Sequence, residues 1–214
     1  MKLSSPHLAQ ALSVADAILY EGYLLYPYRQ SSRKNQARFQ FGVLMPPAYA
    51  AVDPFEPSAS QTECLAEARD DAPVQILVRF LHVQRRTVRQ APAVPAVLAG
   101  EWTDVASLTV DGTEYTRFTE ATEREVTAEL TVAELAGPGV SVPFQIPAGE
   151  TAEELADAGG TVAGRLVHQW DALSGVLRVK AERVAGPFQA LKLHLRVENH
   201  TSPGAGLADR DDGL

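Results

Sequence analysis

Residues 189–199, QALKLHLRVEN, decide the fold. Leu191, Leu193, Leu195 and Val197 alternate with Lys192, His194, Arg196 and Glu198. A period of two sends the apolar set to one side of an extended chain and the charged set to the other. The stretch therefore predicts a strand in a sheet with one buried face and one wet face.

Working outward, residues 175–184 and 164–173 read as two more strands, bounded by Ser174-Gly175 and Gly186-Pro187. A short strand is expected at 140–146, after the Gly137-Pro138-Gly139 break, and alternation continues through 123–132. Within 105–119, Val110-Asp111-Gly112-Thr113 is the strongest hairpin signal, because Asp-Gly tolerates the positive backbone angles of a tight turn. Residues 74–83, VQILVRFLHV, are apolar at both parities apart from Gln75 and Arg79, as in a strand covered on both faces. A further strand is expected at 38–45, a turn or two of helix at 151–158, and a linker or irregular edge at 91–100. Residues 6–19 carry a helical stripe of Leu8, Ala11, Leu12, Ala15, Ile18 and Leu19 behind Pro6.

Seven or more short strands at intervals of about ten residues, without a βαβ rhythm, predict a mainly β fold. The expected architecture is an antiparallel β-sandwich, Ig-like or jelly-roll-like, with an N-terminal helix. Residues 1–45 would pack a helix and a tyrosine-rich corner on the sandwich, and 46–73 would connect to it. The sandwich itself would span 74–200, with 201–214 a disordered tail or linker.

A chain of 214 residues can bury roughly 70% of its unfolded surface without disulfides or metal. Its apolar content leans on Ala and Val, which predicts a thin core. The net charge of −8 argues against nucleic acid or an anionic membrane as the main partner, and Arg33-Lys34 and Arg85-Arg86 read as short solvated clusters. With Cys64 as the single cysteine and five scattered histidines, neither a disulfide nor a zinc pattern is expected. No cofactor is implied. No run reaches the ~18 apolar residues of a membrane span. Asp16 and Glu21 interrupt any signal-like apolar stretch after Met1-Lys2-Leu3, so the cytoplasm is the expected compartment.

Chemistry-bearing residues concentrate between Tyr20 and Asn35. Tyr20, Tyr23, Tyr26 and Tyr28 are four of the six tyrosines, and Glu21, Arg29, Arg33, Lys34 and Asn35 stand among them. Tyrosine suits a surface with one side buried and one wet, and Arg29 with Lys34 can clamp a carboxylate or phosphate. Three readings stay open: a corner packed on the sandwich, a protein-binding surface, or a small-molecule or catalytic site. Cys64 between Glu63 and Glu67 reads as a half-buried, inert thiol. His82 and His168 fall in strands without a nucleophile in an elbow motif. If the last two strands pair, His194 falls on a wet face beside Arg178, Lys180 and Arg196, read as a solvated sheet face ahead of a basic stripe. Trp102 and Trp170 offer stacking platforms that nothing ties to one face. Asp53, Glu56, Asp70 and Asp71 lack metal-loop spacing.

Residues 20–44, YEGYLLYPYRQSSRKNQARFQFGVL, with TECL at 62–65 and LRVENHT at 195–201, resemble a family of uncharacterised bacterial proteins. Those proteins are encoded beside actinobacterial-type, high-affinity uptake nickel–iron hydrogenases. The matching positions are Tyr20, Glu21, Gly22, Tyr23, Tyr26, Pro27, Tyr28, Arg29, Lys34, Asn35 and Phe41. The resemblance implies a longer chain, with Ala208-Asp209-Arg210-Asp211 at the entrance to a further domain. It also implies a role near hydrogenase assembly, maturation or anchoring, and no established activity. The function expected from this is a non-enzymatic accessory or scaffolding protein whose partner is a hydrogenase subunit or maturation factor. The resemblance brings no catalytic residues. The alternative is an enzyme or small-molecule binder with its site at the same corner.

Overall fold

A computed structural model describes residues 12–17, 19, 43–53, 55–92, 101–186, 188 and 190–202. Residues 12–17 are helical, and a one-turn helix α1 spans Pro47–Ala50. The strands are β1 Ala59–Glu67, β2 Pro73–Gln90, β3 Thr103–Val105, β4 Ser107–Val110, β5 Thr113–Thr116 and β6 Phe118–Thr131. After a second one-turn helix, α2 Val132–Leu135, come β7 Val140–Ile146, β8 Gly149–Ala156, β9 Val162–Trp170, β10 Leu173–Arg183 and β11 Ala190–Asn199. All pairings are antiparallel: β1-β11-β10-β7 in one sheet, β3-β2-β9-β8 with β6 on β2 in another, and β4–β5 as a hairpin.

The mainly β, sandwich-like architecture follows from β2. Its first fourteen residues, Pro73–Arg86, pair with β6. This ribbon lays Ile76 and Ala128 over Leu177, Val179 and Ala181 of the four-stranded sheet, with Leu193, Leu195 and Val197 packed alongside. Leu135 of α2 completes that core at 0% exposure. Its helix is held by a capping box: Thr131 Oγ1 accepts from the Glu134 amide, and the Glu134 carboxylate accepts from the Thr131 amide at 2.6 Å. The last residues of β2 pair instead with β9 and β3, and Val88 joins Val110, Leu155 and Leu166 in a second core. Each fully buried Leu or Val contributes about 1.5–3 kcal/mol. Among the described residues the largest fully buried side chains are all Leu or Val.

The Asp-Gly hairpin forms as expected: Asp111 and Gly112 have φ of 47° and 81° and join β4 to β5. Asp111 Oδ2 also accepts from the Ala158 amide at 2.6 Å, pinning the hairpin to the β8–β9 turn. Four expectations are corrected. Residues 151–158 are not helical; most of them belong to β8, whose backbone groups pair with β9 and whose Leu155 enters the second core. The connection expected at 46–73 holds α1 and the edge strand β1, which β11 recruits along its full length. Ser174-Gly175 lies inside β10 and the chain breaks at Asp171-Ala172 instead, because the missing side chain of Gly175 makes room for the Phe144 ring. Residues 43–46, at the end of the strand expected over 38–45, form no regular structure, and 38–42 lie outside the described residues.

Candidate functional site

On the even-numbered face of β2, Val74, Ile76, Val78 and Phe80 give way to His82, Gln84 and Arg86 before Val88 restores the apolar pattern. The period of two puts all of them on one side of the strand. Ile76 belongs to one core and Val88 to the other, so the three polar residues form a belt between the cores. The sheet register lines this belt from its neighbours. On β6, Phe118, Glu120 and Thr122 stand opposite Arg86, Gln84 and His82. On β9, His168 stands opposite Arg86, and on β8, Thr151 stands opposite His168.

Glu120 is the hub. Its Oε1 lies 2.6 Å from His168 Nδ1 and accepts from Gln84 Nε2 at 2.8 Å, while Oε2 is 3.7 Å from Arg86 Nη1. The Glu120 and His168 side chains are 17% and 20% exposed. Arg86 also donates from Nη2 to the Thr116 carbonyl at 3.4 Å, and its guanidinium lies 5.6 Å from the centre of the Phe118 ring. Arg124 stacks over Trp170 at 4.8 Å, and the Trp170 indole donates to the Pro147 carbonyl at 3.0 Å. Gly149 makes room for that indole, since a Cβ there would meet Trp170 Cζ2 at 2.7 Å.

His82 is 8% exposed. Burial pushes its imidazole below the ordinary range, Arg124 pushes in the same direction, and Asp171 opposes both. Three buried nitrogens in the belt, His82 Nδ1, Arg86 Nε and Arg124 Nε, have no hydrogen-bond partner among the described residues. Chemically, the belt offers a carboxylate-oriented imidazole and two guanidiniums against one carboxylate, on a protein of net charge −8.

The opposite face of the β2–β6 ribbon holds a different cluster. Arg79, its side chain 12% exposed, is clamped by Asp16 at 2.5 Å, Glu123 at 2.5 Å and Glu125 at 3.3 Å. The two nearest carboxylates, Asp16 and Glu123, hold its guanidinium above its usual range.

The binding residues expected from sequence, Tyr20, Glu21, Tyr23, Tyr26, Tyr28, Arg29, Lys34 and Asn35, lie outside the described residues. Cys64 is exposed rather than half-buried, because it sits on an edge strand. The basic stripe around His194 is a mixed ion ladder. β10 and β11 do pair, with Lys180 opposite His194 and Arg178 opposite Arg196. Glu63 of β1, however, holds Lys192 and His194 at 2.5 and 2.8 Å, and Glu198 engages Arg178 and Arg196 at 3.1 and 2.8 Å. Trp102 and Trp170 are each stacked by an arginine, Arg165 at 4.3 Å and Arg124 at 4.8 Å. Asp70 is paired with Arg183, Asp71 with Arg69, and Asp53 caps the Phe55 amide at 3.0 Å. Among the described residues no group of three or more His, Cys, Asp and Glu is placed to hold a metal, and no helix is long and apolar enough to cross a membrane.

Sequence reasoning missed Glu120, Gln84 and Arg124, and read Arg86 as a solvated surface charge. The available signal was the run of polar side chains at every second position after Phe80, on the parity that is apolar up to that point. Comparison with protein-family models, curated proteins and solved structures finds no match to this chain.

Proposed function

We propose that this chain is a non-enzymatic accessory protein that binds an extended segment of a partner protein along the open edge of β1. The observation that supports it is the edge itself. β1 pairs with β11 on one side and, among the described residues, with no strand on the other. Its nine residues run about 30 Å, and their outward backbone groups, unpaired by any strand among the described residues, are the template that β-strand addition uses. Apolar side chains follow the same border. Leu65 on β1 is 73% exposed, Phe55 ahead of β1 is 91% exposed, and Phe188 stands in the turn that leads to Ala190, the partner of Glu67. Native edges are usually blunted by charge. Glu63, the charge at mid-strand, is drawn inward across the sheet to Lys192 and His194.

The partner class rests on the resemblance of residues 20–44, 62–65 and 195–201 to proteins encoded beside uptake nickel–iron hydrogenases. On that reading the occupant is a hydrogenase subunit or maturation factor, and the role is assembly, maturation or anchoring in the cytoplasm. The test is capture of purified uptake hydrogenase subunits and maturation factors by the tagged protein, comparing wild type with Leu65→Lys. Wild type is expected to retain one of them, and the variant to lose about tenfold in affinity with little change in Tm. Capture that L65K leaves intact, or no capture at all, overturns the edge as the contact. A parallel Tyr26→Ala/Arg29→Ala protein tests the tyrosine-rich corner as the rival surface.

A further inference from the structure

We propose that the polar row Thr151–His168–Arg86–Phe118 is a binding site for a phosphate group. Four adjacent strands, β8, β9, β2 and β6, supply one residue each in direct register, Thr151 opposite His168, His168 opposite Arg86 and Arg86 opposite Phe118. Residues directly opposite in antiparallel strands share a face with Cβ atoms about 4.5–5.5 Å apart. A hydroxyl, an imidazole and a guanidinium therefore line one edge of the belt, next to the second core that begins at Val88 and Leu166.

The set of polar groups and its arrangement select the ligand. His168 Nδ1 lies 2.6 Å from Glu120 Oε1 and 3.4 Å from Gln84 Nε2, contacts that engage this nitrogen and leave Nε2 for a ligand. Arg86 is committed only weakly: 3.7 Å to Glu120, 3.4 Å to the Thr116 carbonyl, and a buried Nε with no partner among the described residues. A buried N–H without an acceptor favours a ligand that supplies one. A phosphate group is tetrahedral, and near neutral pH a monoester passes between forms with and without a P–O–H. Its unprotonated oxygens accept from the Arg86 guanidinium and the Thr151 hydroxyl, and it suits His168 Nε2 in either state, accepting from an N–H or donating a P–O–H to a bare nitrogen. Its tetrahedral oxygens can meet groups from three strands at once, where a carboxylate offers two oxygens in one plane, and this sets phosphate apart. The cationic excess of the belt, on a chain of net charge −8, attracts such a group locally where the protein as a whole repels it.

The test is an NMR titration of the His168 ring, assigned from the His168→Gln spectrum, with inorganic phosphate at constant ionic strength. A saturable shift with a midpoint near ~1 mM is expected. Arg86→Gln should abolish it, Thr151→Val should weaken it several-fold, and Arg85→Gln should leave it unchanged, because Arg85 points to the other face and pairs with Asp171. Thr151 is exposed, so T151V decides the matter if R86Q does not fold. Phenyl phosphate run in parallel separates the sources: tighter binding than inorganic phosphate marks a phosphorylated small molecule, weaker binding marks the free ion. A shift that never saturates, one that survives both T151V and R86Q, or equal binding of acetate overturns the proposal.

Discussion

Glu120 Oε1 lies 2.6 Å from His168 Nδ1, joining β6 to β9 across the intervening strand β2. The same oxygen accepts from Gln84 of β2 at 2.8 Å, so one carboxylate ties three strands together where the apolar cores are interrupted.

Glu120→Gln removes the charge and turns one oxygen into a donor that faces the Gln84 amide. Arg86 then loses its carboxylate partner. Breaking a part-buried, charge-assisted pair in this way costs about 1–3 kcal/mol. Urea denaturation should show a lowered midpoint with an unchanged m-value. An unchanged midpoint would mean that the network is held from elsewhere.

His82 sets an acid limit on stability. Its folded pKa lies below the ordinary 6.5, first through burial and then through Arg124. As pH falls through that ordinary value the unfolded chain takes up a proton that the folded chain resists, so stability is full above it and declines below. Denaturation curves from pH 7.5 to pH 5 should show this decline, and His82→Leu should flatten it. Equal slopes for the two proteins would remove His82 as the source.

The parts of the fold legible in sequence are those specified locally. Alternation at Leu191–Glu198 and the Asp111-Gly112 turn each require only neighbours in the chain. The strand β8 was not legible, since Ala152, Glu153, Glu154 and Leu155 favour helix and only Leu155 is buried. Its state is imposed by β9 through backbone pairing. The belt was hidden for the same reason. Arg86 reads as a surface charge unless β2 is known to run on into a second sheet, and Glu120 and His168 are 48 residues apart. The tyrosine-rich segment was conspicuous in sequence but lies outside the described residues.

Gly175 is a packing requirement within β10. A Cβ there would run into the Phe144 ring and stand 2.7 Å from the Glu198 carbonyl on β11. Phe144 in turn lies 6.2 Å, centroid to centroid, from Phe80 of β2, so its ring cannot retreat without disturbing the contact between the sheets. Gly175→Ala should cost about 1–3 kcal/mol, as overpacking does. A loss of Tm with far-ultraviolet circular dichroism unchanged is the expected signature, and a neutral substitution would show that the two strands separate freely at this point.

Glu198 sets a second, lower acid limit on the outer face of the same sheet. Arg196 foremost, then His200 and Arg178, draw its folded pKa from 4.5 down to about 2 against an opposing push from burial. A depressed carboxylate contributes stability that is full above the unfolded value and is lost as pH falls from 4.5 toward about 2. The three partners lie at 2.8 Å from Arg196, 2.9 Å from His200 and 3.1 Å from Arg178. The cations are themselves half exposed, so salt screens the network and the effect is largest at low ionic strength. Glu198→Gln should therefore shrink the stability difference between pH 5 and pH 2.5 in low salt, and change it little in 1 M salt. An acid slope that Glu198→Gln leaves intact in both conditions would place the titrating group elsewhere.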